Sequence, residues 1–245
     1  MTTYVYGIAE ADLPRLPGGL VGVGDPPRPV RVLRESGTAA VVSDCPEGLR
    51  PKRRDLFAHQ RVLTAAAAAG AVLPLRFGST APDDDAVRGA LARHAELYRG
   101  QLATVADRVE YNVKALHRED VLLRAILADS PEIRKLNEAT RVEGGATYQD
   151  RLRLGQLVAD ALREHETRDS RTVEYALATH AEHHRRGPEG SGRVVNLSFL
   201  VGRDEAAGFL AALEELRAAS PHLDVRVNGP LPPYSFVRTE SVEAA

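Results

Sequence analysis

What this sequence has little of narrows its chemistry first. Its 245 residues include one cysteine, one methionine and no tryptophan. A lone thiol, Cys45, cannot close an internal disulfide, which points to a reducing compartment. Neither sign of charge is in excess: 32 basic residues face 34 acidic ones, a formal net charge of −2. A nucleic-acid binder would carry a basic surplus on at least one domain, so no nucleic-acid partner is expected. Long apolar runs are also missing. The longest small or apolar stretch, Ala65 to Leu73, falls far short of the ~20 residues that span a membrane. The opening MTTYVYGIAEADLPRL lacks the basic segment and apolar run of a secretory signal. A soluble, cytoplasmic protein with no membrane partner is the expectation.

What is present is ordinary globular composition, 43% hydrophobic and 27% charged, enough apolar content to bury a core. Tyr4 to Ala9 is rich in aromatic and β-branched residues and reads as a strand. Val30 to Arg34, a turn at Ser36-Gly37 and Thr38 to Val42 read as a β-hairpin. Arg53 to Ala69 reads as a helix with Leu56, Leu63 and Ala67 on its inner stripe and Gly70 as its stop. Val72 to Gly78 reads as a strand in which Pro74 implies an edge or a bulge. One helix is expected to start after Pro82, with Val87, Leu91, His94, Tyr98, Leu102 and Val105 as its stripe.

A second set of elements follows. Arg108 to Leu116 alternates as a strand. Ser130-Pro131 and Thr147 open helices with a hydroxyl at the N-cap, the second with Asp150 in capping-box position. The seam of that long helix is read as Tyr148, Leu152, Gly155, Ala159 and Leu162, and a further helix from Ser170 to Arg186 is expected. After a link at 185–193, Val194 to Val201 reads as a central strand, Asp204 as the cap of another helix, and Leu223 to Val227 as a last strand. Strands mixed with helices on one face describe an α+β protein. Two domains are expected, 1–105 and 106–237, with a flexible tail at 238–245 and a helical block inserted after the first strand of the second domain.

Several residues could carry chemistry. His180, His183 and His184 would share a helical side and could hold one metal ion, the basis of an alternative reading as a metal- or ligand-binding enzyme. Packing at a helix end explains them as well. Asp83-Asp84-Asp85 reads as helix-capping carboxylate rather than a magnesium site. The glycines of Gly19 to Gly24 have the wrong spacing for a dinucleotide loop, and Pro26-Pro27 forbids the helix that must follow. Cys45 and His59 could be nucleophile and base, but no third group orients them. No cofactor, metal or catalytic residue is assigned.

The segment NGPLPPYSFV at 228–237 places prolines at 230, 232 and 233 before two aromatics. It matches a PxxP ligand in form, which would make the chain an adaptor. Its apolar flanks favour a structural strap of Gly229, Pro230, Pro232, Pro233, Tyr234 and Phe236, packed on its own domain.

These pieces together resemble a known family. YVYGI at the start, VLPLRFG at 72–78, EYNVKA at 110–115, GGATYQDRL at 144–152, VNLSFLVGRD at 195–204 and the strap occur in order. Each is similar to a segment of the gas vesicle protein L/F family (GvpL/GvpF). Leu231 stands where the family strap usually has tryptophan, and Tyr111 stands where an aromatic, often tryptophan, is usual. Both keep an apolar side chain for packing. The resemblance implies an N-terminal α+β domain with a mixed sheet and a C-terminal ferredoxin-like domain with added helices. It implies a non-enzymatic accessory or minor structural protein of gas vesicles, which binds the hydrophobic shell subunit, and other accessory proteins, and assists assembly. An exposed strand edge, at Pro74 or the last strand, or the helical block at 118–186 would offer the contact surface.

Overall fold

The computed structural model describes residues 1–142, 145–188 and 194–237. They fall into two compact units. The first comprises Met1–Tyr111, Leu200–Arg203 and the chain from Gly229 onward; the second comprises Asn112–Phe199 and Asp204–Asn228. This grouping differs from the expected split at residue 105. Residues 106–111 and the strap at 229–237 group with the N-terminal elements, because the strap's hydrogen bonds go to Glu110 and His59. The tail expected at 238–245 lies outside the described residues.

The sheet of the first unit contains β1 (Thr3–Glu10), β2 (Arg31–Glu35), β3 (Thr38–Asp44), β4 (Val72–Pro74) and β5 (Thr80–Ala81). Its order is β2-β3-β1-β4, with β5 also pairing β1. The β2–β3 hairpin turns at Ser36-Gly37 in antiparallel register. Pro74 lies on the end strand, where a residue without an N–H is tolerated.

Strand β1 is buried on both faces. Tyr4, Tyr6 and Ala9 pack with Val62, Leu63 and Ala66 of α1 (Arg53–Ala69). Val5 and Ile8 pack with Val87, Leu91, Tyr98 and Leu102 of α2 (Asp84–Arg93) and α3 (Ala95–Val105). A register shift between Val5 and Gly7 changes the alternation, so that Ala9 joins Tyr4 and Tyr6 on one face and Ile8 joins Val5 on the other. Helices therefore cover both sides of this sheet, not one as expected, because β1 is apolar at both parities. The single helix expected to reach Val105 is broken at His94, whose backbone leaves the helical region (φ −113, ψ 17). The stripe of Val87, Leu91, Tyr98, Leu102 and Val105 is still buried.

The remaining elements, most of whose residues lie in the second unit, are in chain order β6 (Arg108–His117), α4 (Glu119–Asp129), α5 (Pro131–Arg141), α6 (Tyr148–Ala178), β7 (His183–Arg186), β8 (Val195–Gly202), α7 (Ala206–Ala219) and β9 (Leu223–Leu231). The sheet order is β7-β8-β6-β9. Counted as first to fourth strand, that is 4-1-3-2 read from the other edge, a β-α-β-β-α-β ferredoxin-like arrangement. The inserted block is α4 to α6, after the first strand as the sequence indicated, but it ends at Ala178, and residues 183–186, expected in a helix, form β7. Phe199 and Phe209 meet at 5.3 Å between ring centroids in the core of this unit.

Caps fix the block. Ser130 Oγ accepts from Ile133 N–H, with Pro131 following at the first turn. Thr147 and Asp150 exchange the two bonds of a capping box. Two helical expectations fail. No new helix opens at Ser170, since α6 is continuous to Ala178; nothing around 168–171 breaks the pattern. Asp204 does not cap α7: the N-cap position is Glu205, with no side-chain bond.

Candidate functional site

The strap leaves β9 and presses against β6 and α1. Gly229 is required by proximity: a Cβ there would lie 2.5 Å from Tyr111 Cδ1 and 2.9 Å from the Glu110 carbonyl oxygen. Pro232 and Pro233 are buried. A short 3-10 turn over Tyr234–Phe236 follows, with Phe236 N–H donating to the Pro233 carbonyl at 3.1 Å. Phe236 then enters the core cluster that holds Val5, Leu73 and Leu102.

Two polar side chains buried beneath the strap receive it. Glu110, only 3% exposed, accepts from Ser235 N–H at 2.8 Å and from Ser235 Oγ–H at 2.6 Å. One residue of the strap thus serves both oxygens of a carboxylate shielded from water. His59, 4% exposed, stands at the centre of the other contact. Its Nε2 faces the Leu75 carbonyl at 3.1 Å, which can only accept, so Nε2 carries the proton. Nδ1 then accepts from the Tyr4 hydroxyl at 2.8 Å, and the Tyr4 oxygen accepts from Gly78 N–H at 3.1 Å. The Tyr234 hydroxyl oxygen lies 3.3 Å from His59 Nε2.

Burial sets the charge state of these groups. It drives His59 down from 6.5 to about 4, against the pull of the Leu75 carbonyl. It pushes Tyr234 up to about 12, helped by the Glu110 charge. The ring of Tyr234 keeps 36% of the residue exposed while its hydroxyl end turns inward. The Tyr4 hydroxyl is raised by the same desolvation.

The remaining sequence candidates have other partners. Gly22 lies against Tyr6, whose hydroxyl would be 1.8 Å from an added Cβ, and Tyr6 Oη accepts from Val23 N–H at 2.9 Å. Gly24 N–H donates to Asp55 Oδ1 at 2.9 Å. Gly22 and Gly24 are thus close-packed and the loop is pinned from within, while Gly19 faces open space. Asp83 caps α2 by accepting from Ala86 N–H, and Asp84 pairs with Arg31 at 2.8 Å. Cys45 approaches the Pro46 carbonyl at 3.6 Å and burial raises its thiol pKa, the reverse of what a nucleophile needs.

The histidine cluster is corrected. Helix α6 ends at Ala178, His180 lies in the turn after it, and His183 and His184 lie on β7. Neighbours on a strand face opposite sides, so the helical spacing that would let His180, His183 and His184 share an ion does not exist. His184 Nε2 instead meets Glu174 at 2.9 Å. Among the described residues no group of three His, Cys, Asp or Glu is placed to hold a metal.

Sequence reasoning missed the buried polar residues. On α1 the inward face is Asp55, His59, Val62, Leu63 and Ala66, so the expected inner position Leu56 is 43% exposed. The spacing 55, 59, 62, 66 was a readable signal, hidden because its first two members are polar. Glu110 lies on the polar face of the alternating strand Arg108 to Leu116, together with Asn112 and Lys114, yet is buried. In the second unit, Asp169 Oδ2 accepts from His117 Nε2 at 2.8 Å and His222 Nε2 at 3.0 Å. These three come from separate segments, and no local pattern links them.

The geometry makes two quantitative predictions. Unfolded His59 protonates below about 6.5, folded His59 only below about 4. Between these values the unfolded chain binds more protons. The contribution is therefore complete above pH 6.5 and is lost as pH falls through that window, by about 3 kcal/mol at full extent. Denaturant melts should show this slope in the native chain and not in His59→Asn; equal slopes would contradict the assignment. Ser235→Ala should cost about 1–3 kcal/mol by leaving Glu110 short of a donor. A double-mutant cycle with Glu110→Gln should be strongly non-additive, and additive losses would refute the pairing.

The chain was compared with known proteins. The family model described as gas vesicle synthesis protein GvpL/GvpF matches residues 2–238. The chain is 54% identical over 237 residues to gas vesicle protein F of Streptomyces sp., covering 97% of this chain and 100% of that protein. Its fold is similar to the crystal structure of GvpF from Anabaena sp. PCC7120, with a TM-score of 0.80 at 21% identity over 98% of this chain and 99% of that one. It is likewise similar to GvpF from Microcystis aeruginosa, with a TM-score of 0.74 at 22% identity over 97% and 99%. Glu110, Tyr111, Gly229 and the docked strap thus lie within a match that runs nearly end to end, and the chain belongs to the gas vesicle GvpL/GvpF family.

Proposed function

We propose that this protein is a non-enzymatic assembly factor or minor structural component of gas vesicles, and that it works in the cytoplasm by binding the hydrophobic shell subunit. The observation that carries this reading is the apolar face that α1 leaves outward. With Asp55 and His59 turned inward, Leu56 and Phe57 are 43% and 56% exposed. Beside Leu56 runs a shallow groove of about 360 Å³ lined by Phe77, Leu231, Pro232 and Tyr234, with Gln60 and Arg76 among its polar groups. Exposed apolar surface of this kind, bordered by polar side chains, suits a partner that is itself apolar. Arg53 lies over the Phe57 ring at 5.4 Å, which keeps the patch wetted until a partner displaces it.

The strap's part in this reading is structural. It supplies one wall of the groove, through Leu231, Pro232 and Tyr234, and its prolines lower the entropy lost on docking. No helix among the described residues is long and apolar enough to cross a membrane.

Co-expression with the shell subunit and affinity capture tests the proposal. The double variant Leu56→Asp/Phe57→Asp should melt within a few degrees of the native chain, since both positions are exposed, yet retain at least tenfold less shell subunit. Equal capture by the variant, or no capture by the native chain, would overturn the proposal.

A further inference from the structure

Helix α6 carries two apolar stripes that meet at Leu162, and one of them is packed and half-buried. Leu154, Leu157, Val158, Ala161 and Leu162 pack on Leu122, Ile126 and Ile133 of α4 and α5. The second stripe is the one legible in the sequence, Tyr148, Leu152, Gly155, Ala159 and Leu162. Its spacings of four, three, four and three are those of a heptad seam. Tyr148 is 76% exposed and Leu152 48%. Gly155 is exposed, with no atom within 4 Å of where its Cβ would stand. Ala159 and Leu162 are half-buried, so the stripe grades into the packed face at its C-terminal end.

The borders of this seam have one sign. In heptad terms the flanking positions are Gln149, Arg151, Gln156, Val158, Arg163 and His165. None is acidic, and Arg151 and Arg163 are exposed. Asp160, which pairs with Arg163 at 2.9 Å, stands one row further out. A second copy of the same seam would bring no carboxylate to the border arginines. An amphipathic helix with acidic border positions would satisfy both the apolar stripe and its charges.

We infer that the seam Tyr148–Leu152–Gly155–Ala159 on α6 is a docking face for an amphipathic helix of a partner protein whose apolar stripe is bordered by Asp or Glu. Gly155 and Ala159 let the incoming backbone approach closely, Tyr148 and Leu152 fill the apolar positions of the partner, and Arg151 and Arg163 set its charge. This surface belongs to the second unit and shares no residue with the groove beside α1, so the two contacts are tested independently.

The test uses the full chain and a labelled three-heptad peptide with Leu at a and d and Glu at e and g, which repels itself at those flanks. Its counterpart carries Lys in place of Glu. Fluorescence anisotropy should show binding of the Glu peptide that weakens with salt, and at least tenfold weaker binding of the Lys peptide. Leu152→Glu should abolish binding with an unchanged melting curve. Arg151→Glu/Arg163→Glu should exchange the preference toward the Lys peptide. Failure of the Glu peptide to bind, equal binding to Leu152→Glu, or unchanged preference after charge reversal would each overturn the inference. Concentration-dependent self-association lost in Leu152→Glu would assign the seam to a second copy instead, and would overturn it too.

Discussion

A buried hydrogen-bonding side chain must find its partners inside the protein, and in the first unit that requirement orients everything around it. Asp55 and His59 face inward on α1 because each has a waiting partner, Gly24 N–H for one and the Tyr4 hydroxyl with the Leu75 carbonyl for the other. That rotation of the helix turns Leu56 and Phe57 to solvent. Glu110 makes a second demand, met by Ser235. The strap is thus less a cover than a supplier of donors. With the strap in place but its Ser235 donors lost, a covered carboxylate would be left unpaired, at a cost of about 1–3 kcal/mol.

Stiffness in the strap suits this arrangement. Prolines at 230, 232 and 233 restrict the unfolded chain, so less entropy is lost when Tyr234, Ser235 and Phe236 reach their positions. Gly229 permits the backbone to touch Tyr111 and Glu110 before the prolines begin. The strap is therefore tied to the first strand by Phe236 in the core of β1 and by Tyr234 through His59.

Much of the architecture was legible because periodicity and capping are local. The hairpin at Ser36-Gly37, the capping box at Thr147, the edge proline at 74 and the inserted helical block follow from spacing alone. The failures share one physical cause. Polar residues placed at inward positions, Asp55 and His59 on α1 and Glu110 on β6, break the rule that polar means outside. Their partners lie tens of residues away or more, beyond any window. The reading of His180, His183 and His184 failed differently: a helical pattern was extended past Ala178 into a strand. For α6 the seam read from the sequence is real as a pattern, but the core chose the neighbouring stripe.

Membership in the gas vesicle GvpL/GvpF family gives these features a setting. Two apolar surfaces, one on each unit, face solvent beside polar or basic borders, and His59, Glu110, Asp84 and His184 are held in internal bonds. The groove beside α1 depends on the strap being held by Glu110 and His59. Amide hydrogen exchange at Ser235 tests that directly. The account predicts protection comparable to the amides of β1, because Ser235 N–H donates to a carboxylate hidden from water. Exchange at the rate of an unstructured chain would contradict it.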